Sequence, residues 1–243
     1  MTPRVYTGDG ESPLAAGVPC TLADAAARHV AQVLRMRRGD ALTLFTGDGG
    51  EWPATIVEIS RRAVVVVPAR HDPIERESAR EVTLVQAVIA SDTMDLVVRK
   101  AVELGAARIV PVLVERSQAI EAERLRRRHR HWRQIAIAAC EQCGRNRLPS
   151  LAEPMRWNDW VTAECTPQAS PMLVHRAAAE GLAAVHAASP VRSLFIGPEG
   201  GFTDAEIDAA IARGARGGHL GSRILRAETA ALAALALVLL DRA

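Results

Sequence analysis

The feature that most constrains how this chain can fold is a change of pattern near residue 82. From there, short apolar runs alternate with longer amphipathic segments, beginning with the nearly continuous apolar run Val82–Ile89. A strand buried on both faces has such a run, and strands alternating with helices are typical of an open, mostly parallel α/β sheet. Thr203 and Glu206 have the spacing of a helix capping box. We expect further strands at Arg108–Val114, Met172–Val174, Leu194–Ile196 and Gly218–Leu220, and helices at Asp92–Gly105, Glu121–Cys143, Met155–Ala163, Ala178–Ala188, Thr203–Arg213 and Leu225–Leu240.

The first seventy residues carry shorter runs rich in Val, Ile, Thr and Leu, separated by turn residues. Gly47–Gly50 separates the first two runs and Ser60–Arg62 the last two, as hairpin turns do. A short helix is expected before them, at Asp24–Leu34. A charged linker then leads into the α/β pattern, so we expect a small β-rich domain over residues 1–72 and an α/β domain over residues 73–243. The strands expected in the first domain are Ala41–Phe45, Trp52–Ile59 and Ala63–Val67.

The composition argues against several functional classes. The N-terminus has no apolar signal region, and the longest apolar run, Ala230–Leu240, is shorter than the roughly 20 residues that span a bilayer. Cys140 and Cys143 form a C-x-x-C pair, but no two further ligands stand at zinc-site spacing. We therefore expect a cytoplasmic protein without metal or membrane association. Aromatic residues make up only 3% of the chain, so stacking of bases on aromatic side chains is not the expected binding mode.

Two segments have the context of a ligand site, because ligands of open α/β sheets bind where strand ends lead into helices. Residues 196–202 follow a predicted strand and contain three glycines, whose spacing fits neither a dinucleotide loop nor a triphosphate loop. Residues 220–230 place Arg223, Arg226 and Glu228 directly before an apolar helix. Each segment also has a purely structural interpretation: a tight turn for the first, and helix caps or ion pairs for the second.

One stretch of the chain holds all of its excess positive charge. Residues 121–150 carry eight arginines against three acidic residues, although the net charge of the whole chain is only +2. Leu125, Trp132, Ile135 and Ala139 form an apolar stripe at helical spacing, which leaves the arginines facing outward. A solvated helix face would have the same pattern, but the local excess favours contact with phosphate groups.

Seven segments along the chain together carry a resemblance to a known family. They are Arg4, His29–Arg35 with Gly39–Asp40, Lys100–Gly105, Glu115–Ser117, Ile135–Arg147, Gly197–Gly201 and Leu220–Thr229. In this order they resemble the bacterial 16S rRNA uridine N3-methyltransferase family, within the knotted (SPOUT) methyltransferases. The resemblance covers essentially the whole chain. One departure is Ser91–Met94, since members of the family have basic residues just before the position of Met94.

The resemblance implies a fold, a substrate and an assembly. Residues 1–72 would form a PUA-like β-barrel that helps to bind RNA, and residues 73–243 a SPOUT-type α/β domain with a deep trefoil knot. The substrate would be one uridine in the decoding-site region of 16S rRNA, methylated at N3 on the assembled 30S subunit. The enzyme would be a homodimer in which the partner subunit completes each site.

The resemblance also implies a cofactor and its place. S-adenosylmethionine would be held by the loops after three strands, mainly through backbone groups. The residues expected to bind it are Leu173, His175, Ile196, Gly197, Pro198, Glu199, Gly200, Gly201, Leu220, Gly221, Ile224, Leu225, Arg226 and Thr229.

Methylation at N3 of uracil requires loss of a proton, and the resulting charge spreads onto two carbonyl oxygens. Arginine suits those oxygens, so Arg226 in the cofactor loop and Arg4 from the partner's N-terminal domain are the expected catalytic residues. Glu199 and Glu228 are the expected proton acceptors. The alternative for Glu199 is capping of its loop, and for Glu228 an ion pair with Arg226 or Arg223. RNA contacts are expected from Arg4, Arg35, Arg116, Arg126, Arg127, Arg130, Arg145 and Arg147.

Two other functions fit the same residues. The first is a knotted methyltransferase that acts on tRNA or on another rRNA position, and activity on free RNA would distinguish it. The second is a non-catalytic RNA-binding protein built from the β-rich domain and the basic helix, which absence of S-adenosylmethionine binding would favour.

Overall fold

The computed structural model describes residues 2–10, 13–60, 63–117, 119–175 and 177–240. Two compact units are present. The first consists of Met1–Glu77 and Ile137–Leu148, and the second of Ser78–Ala136 and Pro149–Ala243. The first unit thus extends beyond the expected end at residue 72 and includes a segment that follows it by sixty residues in sequence. Two positions of the expected second hairpin turn, Arg61 and Arg62, lie outside the described residues.

The first unit contains one five-stranded sheet, with the strand order β1-β3-β4-β5-β2. β1 runs parallel to β3, and the other neighbours are antiparallel. A short helix, α1 (Asp24–Arg28), continues into a π-helical turn, His29–Val33, where a single helix was expected. Val5, Leu42 and Leu44 lie in the core of this unit. The strands are β1 (Arg4–Tyr6), β2 (Cys20–Thr21), β3 (Ala41–Phe45), β4 (Trp52–Ile59) and β5 (Val64–Pro68).

The second unit contains a parallel sheet of seven strands. Six of the strands follow the order β12-β10-β11-β6-β7-β8. The seventh, β9, follows β8 in sequence and also pairs with β7. Every pair is parallel. The expected open, parallel α/β sheet is confirmed. The strands are β6 (Thr83–Ala87), β7 (Arg108–Leu113), β8 (Ser150–Leu151), β9 (Met155–Arg156), β10 (Pro171–Val174), β11 (Ser193–Ile196) and β12 (Arg216–Gly218).

The helices of the chain follow the expected order, with local differences at their ends. Gly105 ends α2 in the left-handed conformation, at φ 96°, and the helix begins at Ser91, one residue before the expected start at Asp92. The expected capping box of α6 is present, since Thr203 and Glu206 each accept the other's backbone N–H. The helices are α2 (Ser91–Leu104), α3 (Ala122–Cys143), α4 (Trp157–Glu164), α5 (Leu182–Ala188), α6 (Asp204–Ala212) and α7 (Ala227–Leu239).

Other element predictions also differ from the structure. The last strand is Arg216–Gly218, two residues before the expected position, because its glycines provide backbone pairing with β10 but no apolar signal. The helix expected from Met155 begins as strand β9 and becomes helical only at Trp157. The helix expected from Ala178 begins at Leu182.

An aromatic cluster fixes one side of the parallel sheet. Trp157 and Trp160 of α4 contact Phe195 of β11, with ring centroids 5.5 and 4.7 Å apart. Phe202, at the end of the loop after β11, lies 4.8 Å from Trp157. Because Phe202 is anchored in this core, the glycine-rich loop before it is fixed at both ends. On another face, the nearly apolar helix α7 packs on α2 and β11.

Within the described residues, no helix is both long enough and apolar enough to cross a membrane. The trefoil knot stays a prediction.

Candidate active site

Three loops at the carboxyl ends of β10, β11 and β12 surround a cavity of about 370 Å³ in the second unit. This is the edge at which an open α/β sheet binds its ligands. The first turn of α7 forms its remaining wall. The residues that line the cavity are Val174, His175, Ile196, Gly197, Pro198, Glu199, Gly201, Phe202, Leu220, Gly221, Arg223, Ile224, Leu225, Arg226, Ala227 and Ala230.

Glycines keep this cavity open. Gly201 and Gly221 have φ angles of 69° and 94°, and a Cβ added to either would meet no atom within 4 Å. Such a side chain would be strained and would take up cavity space. A Cβ on Gly197 would lie 3.1 Å from the ring of Phe202. The cavity therefore suits a ligand held by backbone groups, as expected for S-adenosylmethionine.

Gly200 has a different surrounding from its neighbours. It does not line the cavity, and a Cβ there would lie 3.3 Å from Cδ of Arg116. Arg116 donates hydrogen bonds from its guanidinium to the carbonyl oxygens of Gly200 at 2.7 Å and Phe202 at 3.3 Å. Arg116, expected to contact RNA, thus holds the backbone of the glycine-rich loop.

Charged side chains stand at the rim of the cavity. Arg223, Arg226 and Glu199 line it and are exposed, and Glu228 is half-buried in the first turn of α7. Among the described residues, none of these four side chains takes part in an ion pair or a side-chain hydrogen bond. The ion-pair interpretation of Glu228 and the capping interpretation of Glu199 therefore have no counterpart in the structure. Arg226, at the N-cap of α7, is available to a ligand.

His175 is the titratable ring in the cavity wall. Burial lowers the pKa of this imidazole, since the charged form loses hydration. His175 therefore favours its neutral form beside a bound ligand.

The structure brings most of the predicted cofactor residues together. The exceptions are Leu173, Gly200 and Thr229, which do not line the cavity. Leu173 is fully buried in the sheet, while Thr229 is exposed on α7. Five lining residues were not among those expected to bind the cofactor, although four of them lie in the two segments singled out from sequence. Ala227 and Ala230 had a usable signal as small residues in the first turn of the helix after the loop. The other three are Val174, Phe202 and Arg223.

Arg4 lies in the interior of the first unit, where its residue is only 9% exposed. Its guanidinium donates to Glu51 at 2.5 Å and to the side-chain oxygen of Asn146, and it faces the ring of Phe45 at 5.2 Å. Breaking such a buried pair costs several kcal/mol. These contacts favour a structural role for Arg4 over the expected catalytic one.

Two further arginines expected to contact RNA are also paired within the first unit. Arg145 is buried and binds Glu77 through two of its nitrogens. Arg147 is exposed and donates to Glu75 at 2.6 Å. Arg35 is exposed on a backbone with φ 51°.

The exposed basic surface of α3 consists of three arginines around one acidic residue. Arg126, Arg127 and Arg130 lie 2.8, 3.8 and 3.9 Å from the carboxylate of Glu123. The hydrogen bond from Arg126 holds the pKa of Glu123 below its usual value, so this acid stays ionised. One carboxylate offsets one of the three positive charges, and the surface remains cationic.

The described residues contain no group of three or more side chains arranged to hold a metal ion. Cys140 is fully buried, and burial raises the pKa of its thiol to about 12, which keeps it protonated and unreactive.

Comparisons with known sequences agree with this geometry. A sequence profile of the RNA methyltransferase domain matches residues 76–239, and one of the RNA methyltransferase PUA domain matches residues 22–69. A Synechocystis protein named ribosomal RNA small subunit methyltransferase E is 32% identical over 220 residues, which cover 89% of this chain and 71% of that protein. A Bacillus subtilis protein of the same name is 26% identical over 218 residues, 86% of this chain and 85% of that protein.

Solved structures show the same likeness. A Legionella pneumophila methyltransferase in complex with bound S-adenosylmethionine is 36% identical, with a TM-score of 0.91 over 98% of this chain and 97% of that one. The Neisseria gonorrhoeae ribosomal RNA small subunit methyltransferase E, also bound to S-adenosylmethionine, is 32% identical, with a TM-score of 0.87 over 97% of this chain and 96% of that one. On the profile match, the identity and the shared fold, the chain belongs to the ribosomal RNA small subunit methyltransferase E family.

Proposed function

We propose that this protein transfers a methyl group from S-adenosylmethionine to N3 of one uridine in 16S rRNA, in the decoding-site region of the assembled 30S subunit. It acts in the cytoplasm as a homodimer whose partner subunit completes each site. The observation that carries the methyl-transfer step is the glycine-walled cavity of about 370 Å³ at the strand ends. Two relatives with the same fold bind S-adenosylmethionine.

The glycines and the apolar side chains of the cavity have different roles in binding the cofactor. Gly197, Gly201 and Gly221 leave room for the ligand to reach backbone N–H and C=O groups. Apolar side chains such as Val174 and Phe202 exclude water from its neighbourhood. When bound, S-adenosylmethionine supplies an electrophilic methyl group on a sulfonium. Fixed positioning of donor and acceptor is itself a large contribution to such a displacement.

The charged rim supplies the remaining chemistry. Arg226 is exposed, unpaired among the described residues, and at the mouth of the cavity. Its guanidinium stabilises negative charge on a uracil carbonyl oxygen when N3 loses its proton. Glu199 lines the cavity and Glu228 lies in the first turn of α7 without lining it; these are the two proposed acceptors of that proton, and among the described residues neither forms an ion pair. Arg4 is left out of this mechanism because its guanidinium is already engaged.

The RNA partner is supported by charge as well as by the names of the relatives. Arg126, Arg127 and Arg130 form an exposed surface in which Glu123 offsets only one charge. Guanidinium groups on a helix face contact the phosphate backbone of RNA without reading its bases.

The test is methylation of 30S subunits from a strain that lacks this protein, followed by mass spectrometry of the 16S rRNA nucleosides. We expect one N3-methyluridine per subunit with the wild-type protein and S-adenosylmethionine. A methyl group on C5 or on a ribose oxygen would contradict the N3 assignment. Equal activity on protein-free rRNA or on tRNA would favour the other knotted methyltransferases, and absence of cofactor binding would favour a non-catalytic RNA-binding protein.

A further inference from the structure

His219 lies in the loop after β12, two residues before a glycine of the cavity, and no role described above uses it. Its backbone is held on both sides. The N–H of His219 donates to the carbonyl oxygen of Glu180 at 2.9 Å, and its own carbonyl accepts from the N–H of Leu182 at 2.9 Å. The course of the chain at His219 is therefore fixed without its side chain.

The imidazole makes a separate contact with the cavity loop. The backbone N–H of Gly221 donates to Nδ1 of His219 at 3.0 Å. A backbone amide is only a donor, so Nδ1 carries a lone pair and the neutral ring has its proton on Nε2. Cε1 of the ring lies 3.6 Å from the position a Cβ on Gly181 would take, so the ring packs against that glycine.

Gly221 is a residue that needs such a restraint. It lines the cavity at φ 94°, and a glycine samples more backbone conformations than any other residue. Ordering it when a ligand binds costs conformational entropy, and a bond already present in the free protein lowers that cost.

We propose that His219 is a positioning residue of the cofactor loop: Nδ1 of its imidazole holds Gly221 in the conformation that leaves the cavity open to S-adenosylmethionine. This inference rests on the proposed function, since it takes the cavity as the cofactor site.

Two substitutions distinguish the effect of the hydrogen-bond acceptor at His219 from the effect of the volume of its ring. In His219→Asn, the side-chain oxygen accepts from the N–H two residues on, as Asn does in turns. In His219→Leu, the volume is similar but no acceptor is left. At pH 8, titration calorimetry with S-adenosylmethionine should show affinity about fivefold weaker for His219→Leu, in the range of one net hydrogen bond, and within about twofold of wild type for His219→Asn.

The outcomes distinguish failure of the His219 inference from failure of the proposed function. Thermal melting confirms that each variant is folded. Wild-type affinity in His219→Leu at pH 8, or equal loss in both variants, shows the inference to be wrong and leaves the proposed function standing. A wild-type protein that binds no S-adenosylmethionine overturns both.

Discussion

Arg116 joins the segment after β7 to the glycine-rich loop after β11, through hydrogen bonds to the carbonyl oxygens of Gly200 and Phe202. Two carbonyl groups of this loop thus face a cation. A guanidinium holds two acceptors at once because its donors lie in a rigid plane.

Arg116→Gln should therefore weaken S-adenosylmethionine binding, although Arg116 does not line the cavity. Hydrogen bonds from a charged donor contribute about 1.5–3 kcal/mol when buried and less at an exposed side chain, so we expect a loss of about fivefold. Calorimetry measures it, and Arg127→Gln, an exposed arginine of α3, is the matched control. Unchanged S-adenosylmethionine affinity in Arg116→Gln would contradict this role and favour the RNA contact expected for Arg116 from sequence.

Adjacent glycines of the same loop should respond differently to a methyl group. Gly201→Ala places a Cβ in the open cavity at a φ of 69°, whereas Gly200→Ala meets only the flexible side chain of Arg116. S-adenosylmethionine affinity should fall by about tenfold or more in Gly201→Ala and by no more than about twofold in Gly200→Ala. Calorimetry on both folded variants decides this, and the reverse order would exclude Gly201 from the cofactor site.

Arg226→Ala should slow the chemical step without unfolding the protein, because Arg226 is exposed and makes no ion pair among the described residues. Removing a donor aimed at a developing negative charge costs about 10²-fold in rate. Single-turnover methylation of unmethylated 30S subunits measures this step, and Arg223→Ala at the same rim is the comparison. A wild-type rate in Arg226→Ala would contradict the proposed role.

At the scale of elements, sequence patterns located strands with apolar side chains and missed those without them. The bounds of β3 and β4 agree with the expectation, because runs of apolar and β-branched residues flanked by turn residues mark them. β12 was misplaced because its Gly217 and Gly218 allow close packing in place of an apolar run: a Cβ on Gly217 would lie 2.7 Å from Nε2 of His175.

The candidate site was predicted to a similar degree and for similar reasons. Glycines next to strand ends marked the loops of the cavity. Contacts that depend on tertiary structure had no local signal, such as the bonds from Arg116 to the loop backbone or the pairing of Arg4 with Glu51. A count of arginines does not reveal which of them are neutralised.

RNA binding by the basic surface of α3 should weaken when positive charge is removed and tighten when negative charge is removed. Replacing Arg126, Arg127 and Arg130 with glutamine should weaken RNA binding and reduce the log–log salt slope by roughly 0.7–0.9 per lost phosphate contact. Glu123→Gln should do the opposite and tighten binding, because it removes the carboxylate that offsets them. Filter binding to a 16S rRNA fragment between low and moderate salt measures both. Cofactor affinity is the control and should stay unchanged, while identical slopes in all variants would make this helix face a solvated surface.

At the scale of the whole molecule, the first unit is assembled from two stretches that are far apart in sequence. Polar contacts join them. Asn146 accepts from Arg4 and donates to the carbonyl oxygen of Ile74 at 2.9 Å, and Arg145 pairs with Glu77. No hydrophobic pattern identifies such a connection, which is why residues 137–148 were not assigned to this unit from sequence.

Glu51 is the acid on which this network depends. It binds Arg4 at 2.5 Å and Arg76 at 2.8 Å. Burial alone would raise the pKa of Glu51, but the hydrogen bonds and charges of Arg76 and Arg4 outweigh it, so the pKa lies below its ordinary value. A carboxyl whose pKa is lowered on folding stabilises the folded state above its unfolded pKa, and this contribution is lost as the pH falls through the folded pKa.

Glu51→Gln should thus destabilise the protein most at neutral pH. The substitution leaves Arg4 buried without its countercharge, and we expect a loss of about 1–3 kcal/mol in the free energy of unfolding at pH 7. The difference from wild type should shrink as the pH falls from the ordinary glutamate pKa of about 4 through the lower pKa of folded Glu51, below which the wild-type carboxyl is also neutral. Denaturant unfolding across this pH range measures it, with Glu58→Gln, an exposed acid on β4, as the control. A pH-independent difference would mean that the lost stability does not come from the charge of the Glu51 carboxylate.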